Sequence, residues 1–181
     1  EQHAWVMGWL AIYCAATHGV RFADNNTVRL DIDNEPQPDA SVWIDEGCGG
    51  QARLSVDGYL EDAPELIVEV AASSVSYDLH DKLKAYHRNG VREYVVWRVF
   101  DRQVDWFRLE DERYVNATPD AEGIIESRVL PGLRLDVTAL VNGDLARVLA
   151  AQQQGLAAPE HAALVERLAA AKAQPRPRES R

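Results

Sequence analysis

Apolar residues at the start of the chain recur at the spacing of an α-helix. The stripe at positions i, i+4, i+7 and i+11 consists of Trp5, Trp9, Ile12 and Ala16. Further apolar residues widen this stripe, so we predict a deeply buried helix that is apolar around most of its circumference and ends at Gly19. The segment lacks a basic leader start and is shorter than a bilayer span, so no membrane partner is expected.

A short apolar run lies at the centre of the chain. Residues 66–68 are Leu, Ile and Val, which favour a buried strand because β-branched residues suit a covered, pleated surface. Glu69 interrupts this run where another apolar residue would be expected. A buried carboxylate costs several kcal/mol of desolvation unless a cation compensates it. We therefore expect a cationic partner for Glu69, with a loop of small residues following at 71–74.

A helical repeat follows this strand. Asp78, Lys82 and Tyr86 recur every four residues and therefore share one face of a helix. Asn89-Gly90 predicts the end of the helix, and residues 93–97 predict another strand. Strand, helix and strand in this order predict a parallel crossover, with a charged residue at the end of its first strand.

The flanking segments predict further strands and two C-terminal helices. The expected strands are 21–33 with a turn at Asn25-Asn26, 40–44, a hairpin of 103–109 with 113–115, 124–125 and 130–135. Residues 45–63 are expected to form a long, partly irregular excursion. Helices are expected at 144–154 and 159–174, separated by Gly155. The predicted division is a domain at 1–155, a C-terminal helix at 156–174 and a disordered tail at 175–181.

The chain has 181 residues and a formal net charge of −10, which argues against a broad nucleic-acid-coating surface. The charge is distributed unevenly along the chain, because the segment from Asp78 to Arg102 contains six basic and four acidic residues. Cys14 and Cys48 match neither a metal-ligand spacing nor a disulfide framework, which indicates a reducing, cytoplasmic environment.

Three residues are candidates for chemistry: Asp39 before one strand, Glu69 in another, and Lys82 on the helix that follows. Two carboxylates on neighbouring strands suit Mg²⁺, which takes one or two protein carboxylates together with water and phosphate oxygens. A nearby ammonium would offset charge on a phosphoryl transition state. The alternative is that Glu69 and Lys82 form a structural ion pair and Asp39 is a turn residue after proline.

The combination of these motifs resembles the Uma-two family of restriction endonucleases, in the PD-(D/E)XK nuclease superfamily. The matching segments are Pro38-Asp39, Glu69-Val70, the Asp78/Lys82/Tyr86 repeat, Gly90-Val91 with Glu93-Tyr94, and the later 131–141. The resemblance covers roughly residues 3–155. It implies an α/β, restriction-endonuclease-like fold: a mixed β-sheet flanked by helices, here with C-terminal helices added. It also implies hydrolysis of DNA phosphodiester bonds with Mg²⁺ or Mn²⁺.

The resemblance also assigns roles to individual residues. Asp39, Glu69 and Val70 are implied as metal ligands, and Asp39, Glu69, Lys82 and Tyr86 as catalytic residues. The superfamily's strand lysine would fall at Ala71, so Lys82 on the helix is expected to supply the ammonium. Lys84, two positions on, is turned about 200° away from Lys82.

The sequence also departs from the family pattern, and a second function stays open. The loop carries Ala72 and Ser73 in place of the usual serine and proline. The given residues begin after the point where the family has a first strand with an acidic residue, so we expect the N-terminus to be incomplete and one acidic contributor to the site to be missing. A homodimer is expected because one sheet face cannot cover the whole first helix. The alternative function is a catalytically inactive nuclease-fold protein that acts as a binding or assembly module.

Overall fold

The computed structural model describes residues 1–32, 34–72 and 78–173. Five α-helices occur within this part of the chain. They are α1 (Gln2–Ala16), α2 (Leu83–Arg88), α3 (Val137–Asn142), α4 (Leu145–Leu156) and α5 (Pro159–Ala173). A 3₁₀ turn forms at Glu46–Cys48, and a π-helical turn at Asp78–Lys82 leads directly into α2.

The described residues form eleven strands. They are β1 (Val20–Asp24), β2 (Val28–Arg29), β3 (Ala40–Ile44), β4 (Arg53–Leu54), β5 (Leu60–Glu61), β6 (Leu66–Ala71), β7 (Glu93–Arg98), β8 (Gln103–Glu110), β9 (Arg113–Asn116), β10 (Ile124–Glu126) and β11 (Arg134–Asp136). The predicted strand at 40–44 and the predicted hairpin are confirmed. Asp111 and Glu112 form the hairpin turn, and both have positive φ. The short strands β4 and β5 lie in the segment that was expected to be partly irregular.

The main sheet is mixed, with the strand order β1-β3-β6-β7-β8-β9. Strands β6 and β7 are parallel and the other neighbours are antiparallel. The helical segment from the π-turn through α2 connects β6 to β7, which confirms the predicted parallel crossover. Smaller sheets of β2-β5-β4 and β10-β11 complete the fold.

Helices cover both faces of the main sheet. Successive residues of a strand point to opposite faces, so each strand contributes side chains to two cores. Leu66 and Val68 of β6 join a core that includes α1 and the C-terminal helices. Ile67 and Ala71 join a second core with Tyr86 of α2. Glu69 lies two residues from both Ile67 and Ala71 and therefore points to the same face, so its side chain lies on the α2 side of the sheet.

The buried residues of α1 are Val6, Trp9, Leu10 and Tyr13. Trp9 belongs to the predicted stripe, and the other three are the apolar residues that widen it, so their predicted burial is confirmed. Ala16 is exposed, and its predicted place in the buried stripe is wrong. The helix packs against α4, β1 and β3 of the same chain, and small residues occupy much of its outer side.

Two predictions at the C-terminal end are also wrong. Gly155 does not separate two helices, because α4 continues through it to Leu156. A Cβ atom at this position would lie 2.2 Å from the carbonyl oxygen of Gly132, so the glycine allows the helix to approach that turn closely. The strand expected at 130–135 is confined to β11, and α3 begins directly after it with Asp136 as its N-cap.

Some predictions lie outside the described residues. These include most of the loop between β6 and the π-turn, and the C-terminal tail. Within the described ranges, no helix combines the length and apolar character needed to cross a bilayer.

Candidate active site

Glu69 is a buried carboxylate in the interior of β6, with only 3% of its surface exposed. Its Oε1 atom accepts hydrogen bonds from Lys82 Nζ at 2.7 Å and from the Tyr86 hydroxyl at 3.1 Å. The desolvation cost of the carboxylate is thus offset by a cation and a second donor. The expectation of a cationic partner for Glu69 is confirmed.

The crossover helix places Lys82 and Tyr86 over the strand on the same face. The Lys82 side chain is 16% exposed and the Glu69 side chain 4%, so their ion pair is largely shielded from water. Lys84 is exposed, as expected from its position on the opposite side of the helix. The predicted reach of Lys82 to the Glu69 carboxylate is therefore confirmed.

The helical segment begins differently from the regular α-helix that was predicted. Asp78–Lys82 forms a π-helical turn, in which hydrogen bonds span five residues in place of four, and such turns are frequent at functional sites. Lys82 lies at the junction between this turn and α2. The side chain of Asp78, the first residue of the predicted repeat, lies outside the described part of the chain.

Asp39 lies immediately before β3, at the level of Glu69 on the neighbouring strand. Ala40 pairs with Val68 in the β3–β6 ladder, which fixes this level. The Oδ2 atom of Asp39 accepts a hydrogen bond from the Val70 backbone N–H at 2.7 Å. Asp39 is thus tied directly to the peptide that follows Glu69.

The peptide groups of β6 point alternately to its two neighbours. Glu93 N bonds to Glu65 O, and Val99 N bonds to Ala71 O, so the odd-numbered residues face β7. The intervening residue Val70 faces β3, as its bond to Asp39 shows. In an extended strand the N–H and C=O of one residue point to the same neighbour. The Val70 carbonyl therefore points toward the Asp39 side.

These groups form a set of hard oxygen donors: the carboxylates of Asp39 and Glu69 and the carbonyl of Val70. Such donors match Mg²⁺ or Mn²⁺, which keep several water ligands when they bind one or two carboxylates. No group of three or more His, Cys, Asp or Glu side chains in the described ranges is placed to hold a metal ion. The donor set therefore fits a hydrated cation and does not form an all-protein cage.

A cavity of about 230 Å³ opens beside Lys82 and Tyr86. Its remaining lining is Asn34, Glu35, Pro36, Asp81 and Ala85. A larger cavity of about 380 Å³, bordered by Trp43, Cys48 and Lys172, contains none of the predicted site residues. The smaller cavity borders the candidate site, because Lys82 and Tyr86, which contact Glu69, are among its lining residues.

His3 is a neighbour of the site that was not among the predicted site residues. Its Nδ1 atom lies 3.5 Å from Asp39 Oδ1, and its Nε2 atom lies 2.7 Å from Asp24 Oδ1. His3 precedes Asp39 by 36 positions on a different element. No local motif links the two residues, so only the fold reveals this contact.

Basic residues near the site are partly neutralised by acidic neighbours. Arg98, opposite Ala71 at the end of β7, bonds to Asp101 at 2.8 Å and to Asp105 at 2.7 Å. Arg88 on α2 bonds to Asp31 at 3.2 Å. The local excess of positive charge predicted from the sequence is therefore reduced by these ion pairs.

The fold and the site together define the class of protein. A mixed sheet with a parallel strand–helix–strand crossover, helices on both faces and carboxylates on adjacent strands is a restriction-endonuclease-like architecture. A crystal structure of "a putative nuclease belonging to DUF820" from Anabaena variabilis is similar to this chain, with a TM-score of 0.54 and 12% sequence identity. The match covers 78% of this chain and 81% of that chain, and at this identity it shows the shared fold.

The sequence profile of the Uma2 family, described as "Putative restriction endonuclease", matches residues 1–138. The protein therefore belongs to the Uma2 family, which confirms the resemblance seen in its motifs. A search of curated proteins gave no significant match.

Proposed function

We propose that this protein is a metal-dependent endonuclease that hydrolyses DNA phosphodiester bonds at the Asp39–Glu69–Lys82 site. The observation that carries the proposal is the pairing of Lys82 Nζ with Glu69 Oε1 at 2.7 Å, beside an Asp39 bonded to the next peptide. The restriction-endonuclease description of its family and the nuclease description of the similar crystal structure support nucleic-acid hydrolysis as the reaction class.

The proposed cofactor is Mg²⁺, with Mn²⁺ as a substitute, held by Asp39, Glu69 and the Val70 carbonyl. When bound, such a cation supplies Lewis-acid stabilisation of phosphate oxygens and lowers the pKa of coordinated water. The chain contributes the fixed positions of the donors. The Val70 N–H restrains Asp39, and Tyr86 and Lys82 restrain Glu69.

Lys82 has two roles in the proposed reaction. Its ammonium balances the buried charge of Glu69, and its donors can orient a water molecule toward a phosphate at the edge of the site. An ammonium in a site with limited water access also stabilises negative charge that develops on phosphate oxygens. Tyr86 is proposed to hold the Glu69 carboxylate and to limit its rotation.

The proposed substrate is DNA, which a protein with a net charge of −10 can engage only through a local surface. Arg88 and Arg92 are exposed beside the crossover. We propose that they contact DNA phosphates next to the site. Cleavage is then expected to weaken as salt rises, with a shallow dependence because few phosphates are contacted.

The proposal is tested with supercoiled plasmid DNA and full-length protein in the presence of Mg²⁺, Mn²⁺ or EDTA. We expect nicked and linear products with either metal and none with EDTA. The Glu69→Ala variant, checked for folding by circular dichroism, should give no products. Cleavage that persists in EDTA or in this variant would contradict the proposal.

A binding or assembly module is the second candidate, because Glu69, Lys82 and Tyr86 also satisfy one another as a buried polar cluster would. Metal-independent DNA binding without cleavage would favour it. The homodimer and the cytoplasmic location stay predictions. The core-facing side of α1 is covered within one chain, so its apolar character does not by itself require a second copy.

A further inference from the structure

The first helix approaches the candidate active site through His3. This residue lies in the first turn of α1, and its side chain is 32% exposed. Its imidazole ring lies between two carboxylates. The Nε2 atom is 2.7 Å from Asp24 Oδ1, and the Nδ1 atom is 3.5 Å from Asp39 Oδ1.

The two oxygens of Asp39 have different restraints. Oδ2 accepts the Val70 N–H at 2.7 Å, whereas Oδ1 lies 3.5 Å from His3 Nδ1, which is an ion-pair contact longer than a hydrogen bond. A carboxylate held through one oxygen can still pivot about that bond. A contact on the second oxygen restrains the plane of the group, and with it the direction of the lone pairs that would bind a cation.

The strand pairing holds Asp24 beside Asp39. Asp24 pairs with Ala40 in the β1–β3 ladder, and Asn25 N bonds to Asp39 O at 3.2 Å. Asp24 therefore orients the imidazole from one side while Asp39 lies on the other. Carboxylates that bind a metal are generally held by outer-shell partners, and His3, oriented by Asp24, is placed to be such a partner of Asp39.

We propose that His3 is a positioning residue for Asp39: it fixes the orientation of this carboxylate for cation binding, with Asp24 fixing the ring. The proposal rests on the proposed function only in taking Asp39 as a metal ligand. His3 restrains Asp39 in the metal-free protein as well, so this restraint can be measured without an activity assay.

The test compares His3→Leu and His3→Asn with the wild-type protein. The Cγ atom of histidine carries Nδ1, and the Cγ atom of asparagine also carries polar atoms, so asparagine can still present a hydrogen-bond donor to Asp39. Leucine has no polar atom to present. His18→Leu, at the exposed far end of the same helix region, is the matched control. The first readout is the amide proton shift of Val70 in ¹H–¹⁵N spectra of metal-free protein, which reports its bond to Asp39.

The second readout is Mn²⁺ affinity, from the electron paramagnetic resonance signal of free Mn²⁺. We expect His3→Leu to move the Val70 amide upfield and to weaken Mn²⁺ binding by about tenfold, as substitution of outer-shell partners does. His3→Asn should preserve most of both signals, and His18→Leu should change neither. An unchanged Val70 shift in His3→Leu would overturn the proposal.

Failure of the proposed function gives a different result. If wild-type protein cleaves no DNA and binds no Mn²⁺, the nuclease assignment fails. A shifted Val70 amide in His3→Leu, retained in His3→Asn, would still establish that His3 restrains Asp39.

Discussion

Two buried glutamates on the neighbouring parallel strands β6 and β7 have different surroundings. Glu69 and Glu93 are 3% and 1% exposed. Glu69 is bonded by the Lys82 ammonium and the Tyr86 hydroxyl, both at the ends of side chains. Glu93 accepts the Arg128 backbone N–H at 2.8 Å and the Trp106 indole N–H at 3.2 Å, and Arg108 Nε lies 3.6 Å from its Oε1 atom.

The difference separates a carboxylate placed for chemistry from one placed for structure. Glu93 is the first residue of β7 and ties that strand to β8 and to the loop before β11 through backbone and indole donors. Glu69 lies farther along the sheet, level with Asp39, and its partners Lys82 and Tyr86 line a cavity. Neither burial nor a cationic neighbour alone therefore identifies a catalytic carboxylate; the second carboxylate at the same level of the sheet distinguishes Glu69.

Among the substitutions that test the difference between Glu69 and Glu93, replacement of Lys82 is expected to have the largest effect. Lys82→Ala should lower the rate of metal-dependent DNA cleavage by roughly 10²–10³-fold, because it removes a preorganised positive charge from the site. It should also destabilise the fold by about 3 kcal/mol, since Glu69 would keep an uncompensated buried charge. Single-turnover cleavage and urea unfolding measure the two effects.

Lys84→Ala is the matched control, since Lys84 is an exposed lysine on the same helix. It should change the chemical step little. Equal losses in the two variants would show that general basic charge matters and that the contact with Glu69 does not.

Tyr86→Phe should lower the cleavage rate and the stability by less than Lys82→Ala does. Of the two glutamates it affects only Glu69, because Tyr86 bonds to Glu69. Loss of the hydroxyl removes the 3.1 Å bond to Glu69 Oε1 and leaves the ring packed against Tyr94. We expect about a tenfold slower cleavage step and a loss of about 1–2 kcal/mol in the free energy of unfolding. An unchanged cleavage rate would limit Tyr86 to packing.

The smallest effect concerns the pH dependence of stability through Glu93. Burial raises the pKa of Glu93 above its ordinary value of 4.5, and burial likewise raises the pKa of Glu65. A raised pKa means that the folded state binds the proton more tightly than the unfolded state does. The stabilisation is therefore complete below about pH 4.5 and is lost as the pH rises through the higher pKa.

Glu93→Gln should flatten this decline in the free energy of unfolding, measured with urea between pH 5 and pH 8. The exposed Glu112→Gln is the control and should leave the slope unchanged. A slope equal to that of the wild-type protein in Glu93→Gln would remove Glu93 as its source.

The central crossover could be predicted from the sequence because its signals are local. A β-branched run gave β6, the four-residue repeat placed Lys82 and Tyr86 on one face, and Asn89-Gly90 ended α2. The desolvation cost of a carboxylate within a buried strand also predicted that a cation would compensate Glu69.

Features that depend on distant contacts could not be predicted in this way. The closeness of Gly155 to Gly132 decides that α4 continues, although glycine alone favours a break. The contact of His3 with Asp39 joins a helix to a strand start far along the chain. The π-helical turn that ends at Lys82 could not be predicted either, because the residue pattern of this segment is the same as that of an ordinary α-helix.

The most direct test of the central claim is to compare Glu69→Gln with Glu93→Gln in single-turnover cleavage of one DNA substrate with Mg²⁺. Both changes neutralise a buried carboxylate and keep its shape, and urea unfolding shows whether each variant is folded. We predict that Glu69→Gln lowers the rate by at least about 100-fold, whereas Glu93→Gln stays within about threefold of the wild-type protein. Equal rates in the two variants, or a larger loss in Glu93→Gln, would contradict the assignment of Glu69 to the active site.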